Sequence, residues 1–195
     1  MTRFRYLSVG LASLGVALLA CPASAAIIEL EPNNTLATAT PIVRGAVPWM
    51  DMGLGDLAII GGDVDFFEIS LNLGELMVVG TLPLHVPYLA PDTVLGVFSS
   101  GGTLLTVNDD ADATTKGSKV SWGAAYSGFH YIAVSGFDDM NFDGLSDSGG
   151  TPHVEDGLYA LSVTIVPEPG PLVLLGAGVV VGVLRRRRFR SQRAK

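Results

Sequence analysis

Between residues 40 and 166 short apolar runs alternate with clusters of Gly, Asp and Pro, and within the runs the period is two. Tyr159, Leu161, Val163 and Ile165 fall on one face of such a run and Ala160, Ser162 and Thr164 on the other. That is the signature of a strand with one face on a core and one in water. Phe67, Ile69 and Leu71 alternate in the same way with Glu68 and Ser70, and Val120, Trp122, Ala124 and Tyr126 make a third inward stripe. Strands are predicted over residues 65–71, 76–84, 93–99, 103–108, 119–126, 129–136 and 158–166, with an eighth within 40–51. No run of helical period competes outside the two ends of the chain. The fold class expected is all-β, an antiparallel β-sandwich of about seven to nine strands, in which the strand aromatics are core.

The two ends have a different character. Residues 1–25 carry Arg3 and Arg5, an apolar run from Leu7 to Ala20 and the small-residue site Ala23-Ser24-Ala25, the three parts of a secretory signal helix cleaved after Ala25 by signal peptidase. Leu18-Leu19-Ala20-Cys21 leaves lipidation at Cys21 as the alternative. Cleavage after Ala25 removes the one cysteine, and with it thiol and disulfide chemistry. At the other end Pro167-Glu168-Pro169 precedes an apolar span, 171–184, and the cluster Arg185, Arg186, Arg187 and Arg188. As a helix, Leu172 to Leu184 spans roughly 20 Å, short of the ~30 Å hydrocarbon core. Snorkelling arginines could complete a short transmembrane anchor and hold its end in the cytoplasm; an ordinary single-span tail is the plainer alternative. The organisation expected is a signal at 1–25, a sandwich at 26–166 and a tail at 167–195.

Charge sharpens this division. The chain has a formal net charge of −7. All 19 acidic residues lie between Glu29 and Glu168, where only Arg44, Lys116 and Lys119 are basic, so the middle carries −16. Such a surface repels nucleic-acid phosphates and anionic lipid and attracts divalent cations. Nucleic-acid binding is thereby excluded for the mature body.

Pro167-Glu168-Pro169, the short glycine-containing apolar span and the terminal arginines resemble the PEP-CTERM sorting signal of Gram-negative bacteria. The resemblance covers about the last thirty residues. It implies export across the inner membrane, transient anchoring there, removal of the tail near Pro167–Pro169 by an exosortase, and delivery to the envelope or the exterior. It also implies an association with exopolysaccharide and biofilm matrix. The middle resembles the bacterial pre-peptidase C-terminal domain, a jelly-roll-like sandwich. The landmarks are Glu29-Leu30-Glu31-Pro32-Asn33-Asn34-Thr35, Gly62-Asp63-Val64-Asp65-Phe66-Phe67, Asn108-Asp109-Asp110, Gly128-Phe129-His130-Tyr131-Ile132-Ala133-Val134 and Gly157-Leu158-Tyr159.

Calcium takes six to eight hard oxygen ligands, which a loop supplies as alternating Asp and Asn with Gly at the bend. Asp139, Asn141, Asp143 and Asp147, with the Leu145 carbonyl and Gly144, have that spacing, and Glu155 or Asp156 could complete the shell. Gly150 stands where a bidentate Glu would close the loop. The segment is therefore either a modest calcium site or a solvated glycine-rich turn. The second resemblance implies another shared calcium site, formed by Glu29, Glu31, Asn33 and Asn34 against Asp63 and Asp65. Asn108-Asp109-Asp110-Ala111-Asp112 has the spacing of a turn whose side chains bond their own backbone.

His85, His130 and His153 sit in no hydrolase, metalloprotease or nucleotide motif. His130 is expected to face solvent from a strand, and the other two neighbour prolines in loops. The function expected is that of a secreted, non-catalytic envelope or matrix protein, calcium-stabilised and in contact with anionic exopolysaccharide. A calcium-dependent carbohydrate-binding module is the alternative, with Trp49, Tyr88 and Phe142 as exposed loop aromatics. A glycoside-active enzyme using a carboxylate pair is less favoured.

Overall fold

The structure is a computed structural model, and it describes residues 26–57, 62–85 and 90–167. Residues 1–25 and 168–195 lie outside these, and so do the signal site expected at Ala23 and Ala25, Cys21, Tyr88, Glu168, Pro169, Arg185 to Arg188 and the two terminal segments expected to be helical.

All regular structure among the described residues is β. Ten strands follow in order: β1 Ile27–Ile28, β2 Thr40–Pro41, β3 Trp49–Leu57, β4 Asp65–Leu71, β5 Glu75–Pro83, β6 Thr93–Ser99, β7 Leu104–Asn108, β8 Lys119–Gly123, β9 Gly128–Gly136 and β10 Gly157–Pro167. They form two five-stranded sheets, ordered β1-β3-β10-β5-β8 (sheet A) and β2-β4-β9-β6-β7 (sheet B). The long strands pair antiparallel, but β1 joins β3 and β2 joins β4 in parallel, so the sandwich is not purely antiparallel. Pro167, assigned above to the tail, is the last residue of β10 and lies opposite Glu75.

The inner faces meet as the alternation dictates. Tyr159, Leu161, Val163 and Ile165 of β10 and Met77 and Val79 of β5 pack onto Phe67, Ile69 and Leu71 of β4, Leu95 and Val97 of β6, and Ile132 and Val134 of β9. Full burial of side chains this large stabilises by about 1.5–3 kcal/mol each. On β8, which stops at Gly123, Val120 is in the core and the half-buried Trp122 packs against it; Ala124 just beyond is also core, and Tyr126 is half-buried. One side of the sandwich is closed by hydroxyls: Thr81 Oγ1 lies 2.7 Å from Thr93 Oγ1 and accepts from the Ser118 amide at 2.8 Å.

The strand expected within 40–51 proves to be two, and the longer one, β3, runs on to Leu57. Between the core-facing Trp49 and Leu57 its alternation is inverted. Gly53 and Gly55 face the core, while Met50, Met52 and Leu54 face out. A Cβ on Gly53 would overlap Ile27, and one on Gly55 would overlap the Tyr159 ring, so the large inward volume comes from the neighbouring strands.

Sheet B is buried on both faces over part of its extent. Val64, Phe66, Val94, Phe98 and Ala133 on its outside form a second core with Phe142, which descends from the 137–156 connection. Phe142 meets Phe98 edge-on, with ring centroids 5.3 Å apart at 82°, a favoured geometry for ring quadrupoles. Its ring occupies the space a side chain on Gly96 would take. Phe142 is therefore a core residue, 6% exposed, and no exposed ligand platform; Trp49, 4% exposed in the main core, is corrected in the same way.

Candidate metal centre

The segment after β1 crosses the mouth of the sandwich and is fastened to both sheets. On the sheet A side the Asp56 amide donates to Glu29 Oε2 at 2.7 Å. On the sheet B side the Phe66 amide donates to the Asn33 carbonyl at 3.0 Å, and Asn34 Nδ2 donates to Asp63 Oδ1 at 2.6 Å. Thr40 Oγ1 accepts from the Leu30 amide at 3.1 Å. The two segments named in the sequence, 29–34 and 63–65, are thus in contact.

Their side chains converge. Glu29, Glu31 and Asp65 each offer a carboxylate oxygen within 4.8 Å of the others. Asp65 and Asn33 are fully buried, Glu29 is half-buried and Glu31 is exposed, which makes a cup with an acidic floor and one open side. The floor is fixed by Tyr159, whose hydroxyl donates to Asp65 Oδ2 at 2.5 Å. One terminal atom of the Asn33 amide lies 3.2 Å from Asp65 Oδ1 and 3.1 Å from Glu31 Oε1. As nitrogen it donates to both and satisfies the cup by itself; turned to present its oxygen, it would add a fourth oxygen to the three carboxylates, the kind of set a hard cation takes.

Electrostatics shows what this arrangement costs without a cation. Burial, with the adjoining Glu29 carboxylate, pushes the Asp65 carboxyl well above the usual carboxylate range. Glu31 is raised by burial and by Asp63. Burial and Asp65 together push the Tyr159 phenol well up. Among the described residues the basic side chains are Arg44, Lys116 and Lys119. Arg44 pairs with Glu75 at 2.9 Å and Lys116 with Asp92 at 3.1 Å, away from this cup.

The 139–147 loop uses its carboxylates otherwise. Asp139 is fully buried and accepts from Ser135 Oγ at 2.5 Å and from the amides of Asp143 and Gly144 at 3.1 and 2.9 Å. Asn141 Oδ1 accepts from the Asp143 amide, Asp143 Oδ1 from the Leu145 amide and Asp147 Oδ2 from the Met140 amide. Asp139, Asp143 and Asp147 do not gather into a three-acid group as Glu29, Glu31 and Asp65 do. Glu155, a candidate for completing that shell, accepts instead from the Asp92 amide at 2.7 Å.

A second acidic group, Asp92 with Asp109 and Asp110, also has its oxygens within 4.8 Å. Asp92 was not joined to this cluster in the sequence; it immediately precedes β6, and the antiparallel pairing of β6 with β7 brings it beside the residues that follow Asn108. Burial and Asp110 raise Asp109, and Lys116 already compensates this group through Asp92. In the turn itself Asp112 accepts from the Thr114 amide and hydroxyl, the backbone-bonding role its spacing suggests.

His130 departs from expectation: it is fully buried, stacked on Tyr126 with ring centroids 4.4 Å apart, and Nδ1 lies 3.2 Å from the Gly128 carbonyl. Burial lowers its pKa. His153 is buried too, and its Nε2 lies 2.8 Å from the Asp63 carbonyl, so the 137–156 connection is latched to the segment that carries Asp63 and Asp65.

No model of a protein family matches the chain, and no curated protein matches it. Among solved structures it is similar to Aeromonas hydrophila PliG, a periplasmic lysozyme inhibitor of g-type lysozyme. That match has 17% identity and a TM-score of 0.44 over 64% of this chain and 93% of the other. It is also similar to the pre-peptidase C-terminal domain of a collagenase from Bacillus anthracis, with 16% identity and a TM-score of 0.39 over 58% of this chain and 87% of that one.

Proposed function

We propose that the chain is an exported, non-catalytic β-sandwich of the cell envelope or extracellular matrix, held in shape by calcium at the Glu29–Glu31–Asn33–Asp65 cup. Signal peptidase and an exosortase process its ends, and its acidic body contacts anionic exopolysaccharide through shared cations. The observation that carries this reading is the cup itself, which joins three converging carboxylates, one of them buried, to an amide. Its three carboxylates are hard oxygen ligands of the kind that suits calcium, the Asn33 amide can turn its oxygen to join them, and the open side leaves room for waters to complete six to eight ligands. A divalent ion there relieves the repulsion between Glu29, Glu31 and Asp65 and stabilises the fold by mass action. The −16 charge of the middle supports bridging to a polyanion only when cations intervene.

The matrix role is favoured over the carbohydrate-binding module because Trp49 and Phe142, two of its three proposed platform aromatics, are core residues. Co-sedimentation of the secreted chain with the producing organism's exopolysaccharide tests the role. Pelleting in calcium that is lost in chelator is expected. Equal pelleting in both buffers, or none in calcium from folded protein, contradicts it.

A further inference from the structure

The two outer faces of the sandwich are unlike. Sheet B is roofed by Phe142 and its loop, whereas nothing among the described residues covers sheet A. Along β3, Met50, Met52 and Leu54 stand 60, 53 and 58% exposed. Beside them on β10, and registered with them one to one, come Thr164, Ser162 and Ala160. On β5 the positions opposite these are Val78, Gly80 and Leu82.

The face therefore has relief: a ridge of long flexible side chains on β3 lies next to a trough floored by small ones on β10 and by Gly80. It is also nearly free of charge. In a body of −16, the outward positions of these five strands carry one acid, Asp56, and one base, Lys119. Burying such a face removes apolar surface from water without bringing carboxylates together.

We propose that this face pairs with the same face of a second copy of the chain. A two-fold axis running along the strands, between β3 and β10, lays the Met ridge of each copy in the trough of the other, an isologous contact. Thioether chains are suited to filling such a trough because they adapt to irregular gaps. At ~4.8 Å between strands and ~3.4 Å per residue, β1, β3, β10 and β5 project about 500 Å² per copy. Interdigitation buries more than the projection, so the pair exceeds the ~1,000 Å² at which specific interfaces begin.

Sedimentation equilibrium of residues 26–167, which contain both cores complete, tests this from low micromolar to submillimolar concentration. A monomer–dimer equilibrium is expected. Met52→Glu on the ridge, and Leu54→Lys independently, raise the dissociation constant by at least about tenfold, with the circular dichroism of the folded sandwich retained. Val154→Glu, at a position 78% exposed on the connection before β10, leaves association unchanged. A monomer at every concentration overturns the proposal, and so does a dimer that both ridge variants leave intact. Ridge-dependent binding to phosphatidylcholine vesicles by a protein that stays monomeric overturns it as well and reassigns the face to a lipid surface.

Discussion

Asp65 concentrates the chemistry of the molecule in one side chain. Its folded-state pKa is raised by burial and by Glu29, so between the ordinary carboxylate range and that raised value the native state binds more protons than the unfolded one. Stability then falls as pH rises through that window. In chelator the melting temperature is expected to decline from mildly acidic to neutral pH, and in calcium the decline flattens; a pH series of thermal melts reads both. Asp65→Asn keeps an acceptor for the Tyr159 hydroxyl and places a donor beside Glu29. It is expected to raise the melting temperature in chelator at neutral pH while abolishing the response to calcium. Gly55 matters for the same site from behind: a methyl there drives into the Tyr159 ring, and Gly55→Ala is expected to cost about 1–3 kcal/mol and to weaken calcium binding. Denaturant unfolding with and without calcium measures both effects. The resemblance to the pre-peptidase C-terminal domain, rather than any spacing of residue types, named Glu29, Glu31, Asn33 and Asp65 in advance, together with Asn34 and Asp63, which bond each other beside the cup. That segments more than thirty residues apart close on each other is a tertiary fact without a local signal.

At the scale of elements, seven of the ten strands, β4 to β10, follow from alternating or apolar runs set between turn residues. β3 escaped beyond Asp51 since Met52 and Leu54 point outward while glycines fill the inward positions 53 and 55, the reverse of the usual parity, before Leu57 returns to the core. The 137–156 connection was read through its carboxylates. Its apolar residue decides its place: Phe142 roofs the outer face of sheet B. A signal for that roof was present, because β6 is buried at six consecutive positions from Thr93 to Phe98, and a continuous apolar run marks a strand covered on both faces. His130 was misjudged for a related reason, as a polar ring in a strand can be sequestered by stacking on a neighbour such as Tyr126. Phe142→Ala removes the roof's anchor, and a loss of about 3–5 kcal/mol is expected. Hydrogen exchange localises the accompanying loss of protection to residues 139–153 if the roof opens as a unit.

For the whole molecule the distribution of charge and its absence are the two organising features. Acids crowd the mouth of the sandwich and the hairpin around Asp92, Asp109 and Asp110, while the outer face of sheet A is left almost neutral. A middle of −16 with so few cationic side chains of its own attracts cations from solution. In the proposed function the cup is where that attraction becomes specific. Calcium at about a hundred times its dissociation constant adds about 2.7 kcal/mol to stability. The decisive measurement is thermal unfolding of the chain from Ala26 across a calcium titration, beside a Glu29→Gln/Glu31→Gln variant. The account predicts a melting temperature that climbs with calcium in the native protein, returns on chelation, and stays flat in the variant. A native protein whose melt is the same in calcium and in chelator, or a variant that climbs as the native does, would contradict it.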